Sequence, residues 1–124
     1  MSEFITKATV LAIHAHTIET YGGSAGLRDE GLLEAAVFRP QTGYYRDVIE
    51  EAAALWESLS QNHPFIDGNK RAAFGSLNAF LFANGVLLQA SLDEAIDFVV
   101  GLYKTDSFRF DQLVSWLREK TPRK

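Results

Sequence analysis

His63-Pro64-Phe65-Ile66-Asp67-Gly68-Asn69-Lys70-Arg71 is the stretch that decides the fold and the function of this 124-residue chain. It leads directly into the apolar run 72–83, which has the composition of a helix in a protein core. The start of a helix presents unpaired backbone N–H groups and the positive end of a dipole, so it favours phosphate groups. The stretch is therefore predicted to be a phosphate site that carries its own base.

The first half of this motif supplies a base and a metal-type carboxylate. Because Pro64 disfavours helical geometry in the residue before it, His63 is expected on the loop that precedes the helix. There its ring can accept a proton from an attacking hydroxyl. Asp67 is the kind of ligand with which proteins hold a Mg²⁺ that bridges phosphates. Phe65 and Ile66 are expected to anchor the loop in the core.

The second half of the motif supplies flexibility, donors and positive charge. Gly68 lets a ligand approach the backbone, and Asn69, Lys70 and Arg71 can bind phosphate oxygens. A simpler interpretation is a turn and cap before a core helix, with both cations in solvent. However, two cations in the first turn oppose the helix dipole, which indicates that an anion binds there.

Helical periodicity predicts further helices on both sides of the motif. Their ends are marked by cap and stop residues: Thr6 to Tyr21, Asp29 and Glu30 to Phe38, 48–60, 72–83, a capping box at Ser91 to Glu94, and a last helix capped by Asp111. The helix over 72–83 is apolar on almost every side and is expected to be buried all round. His14 lies in the apolar stripe of the first helix, where a hydrogen-bonded core histidine is expected. The segment 41–47, with Tyr44-Tyr45, is interpreted either as a surface connection or as a flap over the site.

Composition limits the classes of function. The formal net charge of −4 and the pI of about 5.3 leave no basic face for nucleic acid or an anionic membrane. The chain contains no cysteine, which excludes disulfides and thiolate metal sites. Its first residues do not read as a signal peptide, and no apolar run reaches membrane-spanning length. A cytoplasmic location without nucleic-acid or membrane partners is expected.

The motif resembles the signature of the Fic/Doc (Fido) proteins. Adenylyltransferases of that family read His-Pro-Phe-x-Asp/Glu-Gly-Asn-Gly-Arg, usually with a second arginine three residues later. Here Lys70 replaces the second glycine and Phe74 stands at the position of the second arginine. Both differences point to the Doc (death-on-curing) toxin branch, and His14, Tyr21-Gly22-Gly23 and Glu34-Ala35-Ala36 follow the order of that branch.

The resemblance implies a fold and a reaction. The fold is an all-α Fido bundle of about six helices, one domain over 1–124, with the motif at the start of a central buried helix. The reaction is that of a toxin from a toxin–antitoxin module, which transfers the γ-phosphate of ATP to a threonine of elongation factor Tu and blocks translation. The resemblance also implies a partner antitoxin, whose disordered C-terminal segment folds on binding in a groove near the active site.

By motif position, the resemblance makes His63 the general base and Asp67 the Mg²⁺ ligand. Gly68, Asn69, Lys70 and Arg71 would bind the phosphates of ATP, and Lys70 and Arg71 would also take part in catalysis. Because the Lys70 side chain would fill part of the anion nest, the triphosphate is expected to bind in a different orientation from that in adenylyltransferases. Two alternatives remain open, a Fic-type transfer of AMP to a protein hydroxyl and an inactive adaptor that only binds a partner.

Overall fold

The computed structural model describes residues 2–122, which form six α-helices and one 3-10 helix. Their bounds are Lys7–Tyr21 for α1, Glu30–Phe38 for α2, Arg39–Thr42 for the 3-10 helix, Val48–Asn62 for α3, Asn69–Ala83 for α4, Leu92–Lys104 for α5 and Phe110–Lys120 for α6. Within residues 2–122, β-structure is limited to one isolated bridge between Leu27 and Phe65. No helix of this described part is long and apolar enough to cross a membrane. The all-α prediction is confirmed.

Side-chain caps start four of the helices. Thr6, Asp29, Asp47 and Ser91 each accept a hydrogen bond from a backbone N–H in the first turn of α1, α2, α3 and α5. The predicted capping box of α5 is present, since Glu94 also accepts a bond from the backbone of Ser91. The prediction that Asp111 caps the last helix is wrong, because α6 begins after Arg109 and Asp111 lies inside its first turn.

Helix α3 lies at the centre of the bundle. It packs against α2, the 3-10 helix, α4 and α6. Its buried face includes Leu55, Trp56 and Leu59, which are at most 2% exposed. Burial of such side chains is the main favourable term in folding, at roughly 1.5–3 kcal/mol for each. The end of α3, where His63 follows, is thus fixed by the core.

Helix α4 is largely buried but has one open face, which corrects the prediction that it is apolar and covered all round. Leu77 and Leu81 are fully buried, whereas Phe82 is 76% exposed. The helix begins at Asn69, ahead of the apolar run 72–83, so Lys70 and Arg71 belong to its first turn, as expected from the argument on the helix dipole. The side that carries Phe82 lines a groove whose other wall is formed by α1.

The segment that contains Tyr44 and Tyr45 is anchored at its second tyrosine. The ring of Tyr45 packs on Phe110 at 5.5 Å between centroids, and its hydroxyl accepts a hydrogen bond from Nε of Arg39 at 2.7 Å. Arg39 in turn pairs with Glu57 of α3 at 2.8 Å. Tyr44 is 82% exposed. The segment is therefore fixed to α3 and α6, and the role of Tyr44 as part of a flap stays a prediction.

Candidate active site

The motif loop connects the end of α3 to the start of α4. His63 ends α3 in a left-handed conformation, with φ of 48° and ψ of 58°. The prediction that the histidine leaves the helix is confirmed, but this conformation was not expected for a residue before proline. Its side chain is exposed and lines a cavity together with Asp67, Lys70 and Arg71. A left-handed non-glycine residue is strained, so other contacts have to hold it.

Those contacts come from residues 22–29, which we call the clasp. Backbone N–H groups of Arg28 and Asp29 donate to the carbonyl oxygen of Pro64 at 2.7 and 3.0 Å. The N–H of Ile66 donates to the carbonyl oxygen of Gly26 at 3.1 Å. The clasp therefore fixes both sides of Phe65 in the motif loop.

The guanidinium of Arg28, also part of the clasp, binds the backbone at His63. Its Nε donates to the carbonyl oxygen of His63 at 2.6 Å and its Nη2 donates to that of Asn62 at 2.7 Å. These carbonyls belong to the end of α3, where positive charge is favoured by the helix dipole. Sequence reasoning missed Arg28, since no local pattern relates it to a residue 35 positions later. The only hint of this role in the sequence is that Arg28 stands next to the helix cap Asp29.

The underside of the loop is fixed by Phe65 and His14. Phe65 is 2% exposed and stacks on the His14 ring, with centroids 3.7 Å apart and planes within 3°. Nε2 of His14 donates to the carbonyl oxygen of Asp67 at 2.7 Å. His14 is thus the hydrogen-bonded core histidine that was predicted. The expectation that Ile66 is also anchored in the core is wrong, because Ile66 is 59% exposed and lies over Gly26.

Asn69 braces the same loop with its side chain. Its Oδ1 accepts from the N–H of Phe65 and its Nδ2 donates to the carbonyl oxygen of Phe65, both at 3.0 Å. The amide therefore pairs with the backbone four residues earlier. That Asn69 binds phosphate stays a prediction, for which its backbone N–H at the helix start is the better placed group.

Asp67 is an ionised carboxylate on the exposed side of the loop. Oδ2 accepts from the N–H of Ser24 at 3.1 Å, and Oδ1 accepts from the N–H of Gly68 at 2.8 Å. These backbone hydrogen bonds, led by that from Ser24, lower the pKa of Asp67 from 3.8, and Arg71 adds to the effect. Gly23 is required here, because a Cβ on it would lie 2.7 Å from Oδ2 of Asp67.

The first turn of α4 is open to an anion. Gly68 precedes it with φ of 76°, and among the described residues no side chain caps this helix. A Cβ on Gly68 would lie 3.1 Å from Cδ1 of Ile18, so a larger residue would crowd α1. By contrast, α1, α2, α3 and α5 all have side-chain caps. The backbone N–H groups at the start of α4 thus face the cavity without a competing acceptor from a cap.

Lys70 and Arg71 of this helix start contact aromatic rings from two different helices. The Arg71 guanidinium lies 4.7 Å from the centroid of the Tyr21 ring, at the end of α1. Nζ of Lys70 lies 5.4 Å from the centroid of the Tyr103 ring, near the end of α5. Each cation is therefore held by an aromatic ring. Neither tyrosine was predicted as a site residue, and only the tertiary fold relates them to the motif.

The cavity above the motif measures about 340 Å³ and brings together all the predicted site residues. It is lined by His63, Ile66, Asp67, Gly68, Asn69, Lys70, Arg71 and Ile96. It combines a base, a carboxylate, two cations and an open helix start. This set can bind a phosphate ester, deprotonate a hydroxyl and neutralise the charge that develops during transfer.

The site fits a magnesium ion bound jointly by Asp67 and by phosphate oxygens of a substrate. Within residues 2–122, no group of three or more histidine, aspartate or glutamate side chains could hold a metal ion. Mg²⁺ does not need such a group, since it is usually bound through one or two carboxylates together with phosphate oxygens and water. Asp67 is ionised and exposed, and each of its oxygens accepts one hydrogen bond, which leaves lone pairs for a metal.

Comparison with known proteins gives the same family as the motif. The model of the Fic/DOC family matches residues 4–81, which include the clasp and the whole motif. The chain is 45% identical over 98 residues to "Toxin Doc" of Mycolicibacterium smegmatis (strain ATCC 700084 / mc(2)155), covering 75% of this chain and 73% of the relative. It is 35% identical over 101 residues to "Protein kinase doc" of Escherichia phage P1, covering 78% and 79%.

Proposed function

The chain belongs to the Fic/DOC family, and from this membership and the site we propose that it is a toxin that acts as an ATP-dependent protein kinase. It transfers the γ-phosphate of ATP to a threonine hydroxyl of elongation factor Tu and thereby blocks translation. The observation that carries the proposal is the cavity in which His63 and Asp67 meet Lys70 and Arg71 at an uncapped helix start.

The reaction needs few groups, because phosphoryl transfer depends mainly on positioning and on stabilisation of charge. The threonine oxygen forms a bond to the γ-phosphorus while the bond from this phosphorus to ADP breaks. His63 accepts the hydroxyl proton, and Lys70, Arg71 and the N–H groups of α4 bind the phosphate oxygens. Asp67 would hold Mg²⁺, which neutralises charge on the phosphates.

Lys70 supports transfer of phosphate over transfer of AMP. The Fic adenylyltransferase pattern has a glycine at this position, which leaves the space between the motif cavity and α5 free. The side chain of Lys70 lies there instead. The triphosphate then has to bind in another orientation, which brings a different phosphorus to the hydroxyl. Transfer of AMP is the second candidate, because Pro64 and Gly68 match the adenylyltransferase pattern.

The test is to incubate the protein with Mg²⁺, a bacterial lysate and ATP labelled at either the α- or the γ-phosphate. Label from γ on a band that mass spectrometry identifies as elongation factor Tu is expected. Label from α would instead favour AMP transfer, and no label from either would favour an adaptor. His63→Ala and Arg71→Ala are each expected to abolish growth arrest and to reduce labelling to a small residual rate, whereas His16→Ala, which changes an exposed histidine outside this cavity, should leave both intact. Full toxicity of both site variants would refute the site.

The antitoxin is proposed to bind in the groove between α1 and α4. The groove measures about 780 Å³, contains the exposed Phe82, and extends to Arg71, which also lines the motif cavity. A helix formed by a disordered segment could bury its apolar face there and reach the site. Phe82→Glu is therefore expected to arrest growth but to escape neutralisation by a co-expressed antitoxin. Phe38→Glu, at a phenylalanine that is 62% exposed outside the groove, should remain neutralised.

A further inference from the structure

A second cavity lies on the α5 side of His63. It measures about 460 Å³ and is lined by His63, Lys70, Val100, Tyr103 and Lys104. His63 and Lys70 also line the motif cavity, so the two cavities adjoin at the proposed base. Asp67 and Arg71 line the motif cavity but not this one. His63 therefore lies between a space that contains Asp67, Arg71 and the start of α4 and a space that contains two lysines and apolar surface but neither Asp67 nor Arg71.

The direction from which the hydroxyl attacks the phosphorus indicates which cavity holds ATP and which holds the acceptor. In phosphoryl transfer the attacking and leaving oxygens lie roughly in line on opposite sides of the phosphorus. The phosphates are expected beside Asp67, Arg71 and the start of α4. His63 can take the proton only from a hydroxyl within hydrogen-bond reach of its ring. The hydroxyl is thus expected on the α5 side of His63.

The walls of the second cavity suit a polypeptide segment. Val100 and the ring of Tyr103 provide apolar surface, and Tyr103 is fixed by stacking on Phe108 with centroids 4.5 Å apart. Lys70 and Lys104 provide ammonium donors, and no carboxylate of the described part of the chain lines the cavity. Ammonium groups donate to carbonyl or carboxylate oxygens, which a polypeptide offers along its length.

We propose that this cavity receives the segment of the protein acceptor that carries the reacting hydroxyl. Lys104 donates a hydrogen bond to an oxygen of that segment, and Val100 and Tyr103 pack against its side chains. Lys104 is thus a specificity residue for the acceptor and does not contact ATP. The inference rests on the proposed transfer of phosphate.

The experiment is a kinetic comparison of wild type with Lys104→Gln, using the purified protein of the labelled band as the acceptor. Initial rates are measured against acceptor concentration at fixed ATP, and against ATP at fixed acceptor. The variant should raise the acceptor KM about tenfold, the size expected for losing one charge-assisted hydrogen bond, while the KM for ATP stays the same. Lys7→Gln serves as the matched control, since Lys7 lies at the far end of the 15-residue α1, about 20 Å from Tyr21.

Each other outcome has a distinct meaning. A raised KM for ATP with an unchanged acceptor KM would place the nucleotide in this cavity and overturn the inference. Unchanged values for both substrates would also overturn it. If the wild-type protein labels no acceptor at all, the proposed kinase function fails, and the inference fails with it. Because Lys104 is exposed, the thermal unfolding of the variant should match that of wild type, which separates these outcomes from misfolding.

Discussion

Two neighbouring cations, Lys70 and Arg71, define the site at the scale of single residues. Consecutive side chains on a helix point in different directions, yet both of these line the motif cavity. Tyr103 and Tyr21 hold their charged groups through cation–π contacts. Each cation that lines the motif cavity is thus held by a ring from a different helix.

The first prediction concerns Tyr21, which we expect to position Arg71. Tyr21→Leu should lower kcat/KM for ATP about three- to fivefold, because an exposed cation–π contact is lost while apolar bulk remains. Tyr21→Phe keeps the ring and should restore the wild-type value. Steady-state kinetics, with the purified acceptor protein and varied ATP, measures kcat/KM for both variants. Phe38→Leu is the control, as Phe38 is an exposed aromatic residue that does not line the motif cavity. A Phe variant as slow as the Leu variant would exclude the ring contact.

The clasp determines the site at the scale of structural elements. The motif loop has its own turn residues, but the left-handed His63 is strained and would relax without support. Backbone bonds from the clasp, the two bonds from Arg28 and the bond from His14 supply that support. The segment between α1 and α2 is thus part of the structure that supports the proposed active site, although none of its side chains lines the motif cavity.

A prediction at the scale of structural elements tests this role through Arg28. Arg28→Gln removes two charge-assisted hydrogen bonds to the end of α3, so His63 should lose its fixed position. We expect kcat to fall about tenfold, while the KM for ATP changes little because the α4 contacts remain. Arg109→Gln, which removes a guanidinium from the start of α6, is the control.

A double variant separates positioning of the base from general destabilisation. If Arg28 acts through His63, then Arg28→Gln should add no further loss of residual activity to His63→Ala. Independent losses from the two substitutions would show that Arg28 does not act through the base. Thermal unfolding of all variants is measured in parallel, and a lowered midpoint for Arg28→Gln alone would indicate a structural effect.

At the scale of the whole molecule, local patterns predicted most of the fold. The caps Thr6, Asp29 and Ser91 marked helix starts correctly, because a cap depends only on residues three positions apart. The motif also predicted the residues that meet in one cavity, since they are consecutive in the chain. Its family resemblance is confirmed by the comparisons.

What could not be predicted depends on contacts between distant parts of the chain. The bonds from Arg28 to His63 and the stacking of Tyr21 on Arg71 join residues that are far apart in sequence. The exposed Phe82 reads as a core residue, because periodicity shows that a face is apolar but not whether another element covers it. Whether Phe82 lies in the core or in a groove depends on how α1, α3 and α4 pack together.

One such distant contact, between Asp47 and Arg118, links the start of α3 to α6 and predicts how stability depends on pH. Oδ2 of Asp47 lies 3.0 Å from Nη2 of Arg118, and Oδ1 accepts from the N–H of Glu50 at 3.0 Å. Partial burial raises the pKa of Asp47, but the bonds from Glu50 and Arg118 outweigh it, so the pKa lies below 3.8. A lowered pKa means that the carboxylate stabilises the fold above pH 3.8, and that this contribution is lost as the pH falls through the folded-state value.

Removal of the Arg118 cation should therefore lower the free energy of unfolding at neutral pH but not in acid. Arg118→Gln is expected to lower the free energy of unfolding by about 0.5 kcal/mol at neutral pH, a small value because both side chains are partly exposed. The difference from wild type should shrink as the pH falls below 3.8 and vanish below the folded-state pKa of Asp47, where Asp47 is neutral in both proteins. Urea unfolding at a series of pH values measures it. Arg109→Gln, whose guanidinium bonds only to the carbonyl oxygen of Asp106 among the described residues, should show no such convergence. A difference for Arg118→Gln that is constant across the series would show that this ion pair does not stabilise the fold.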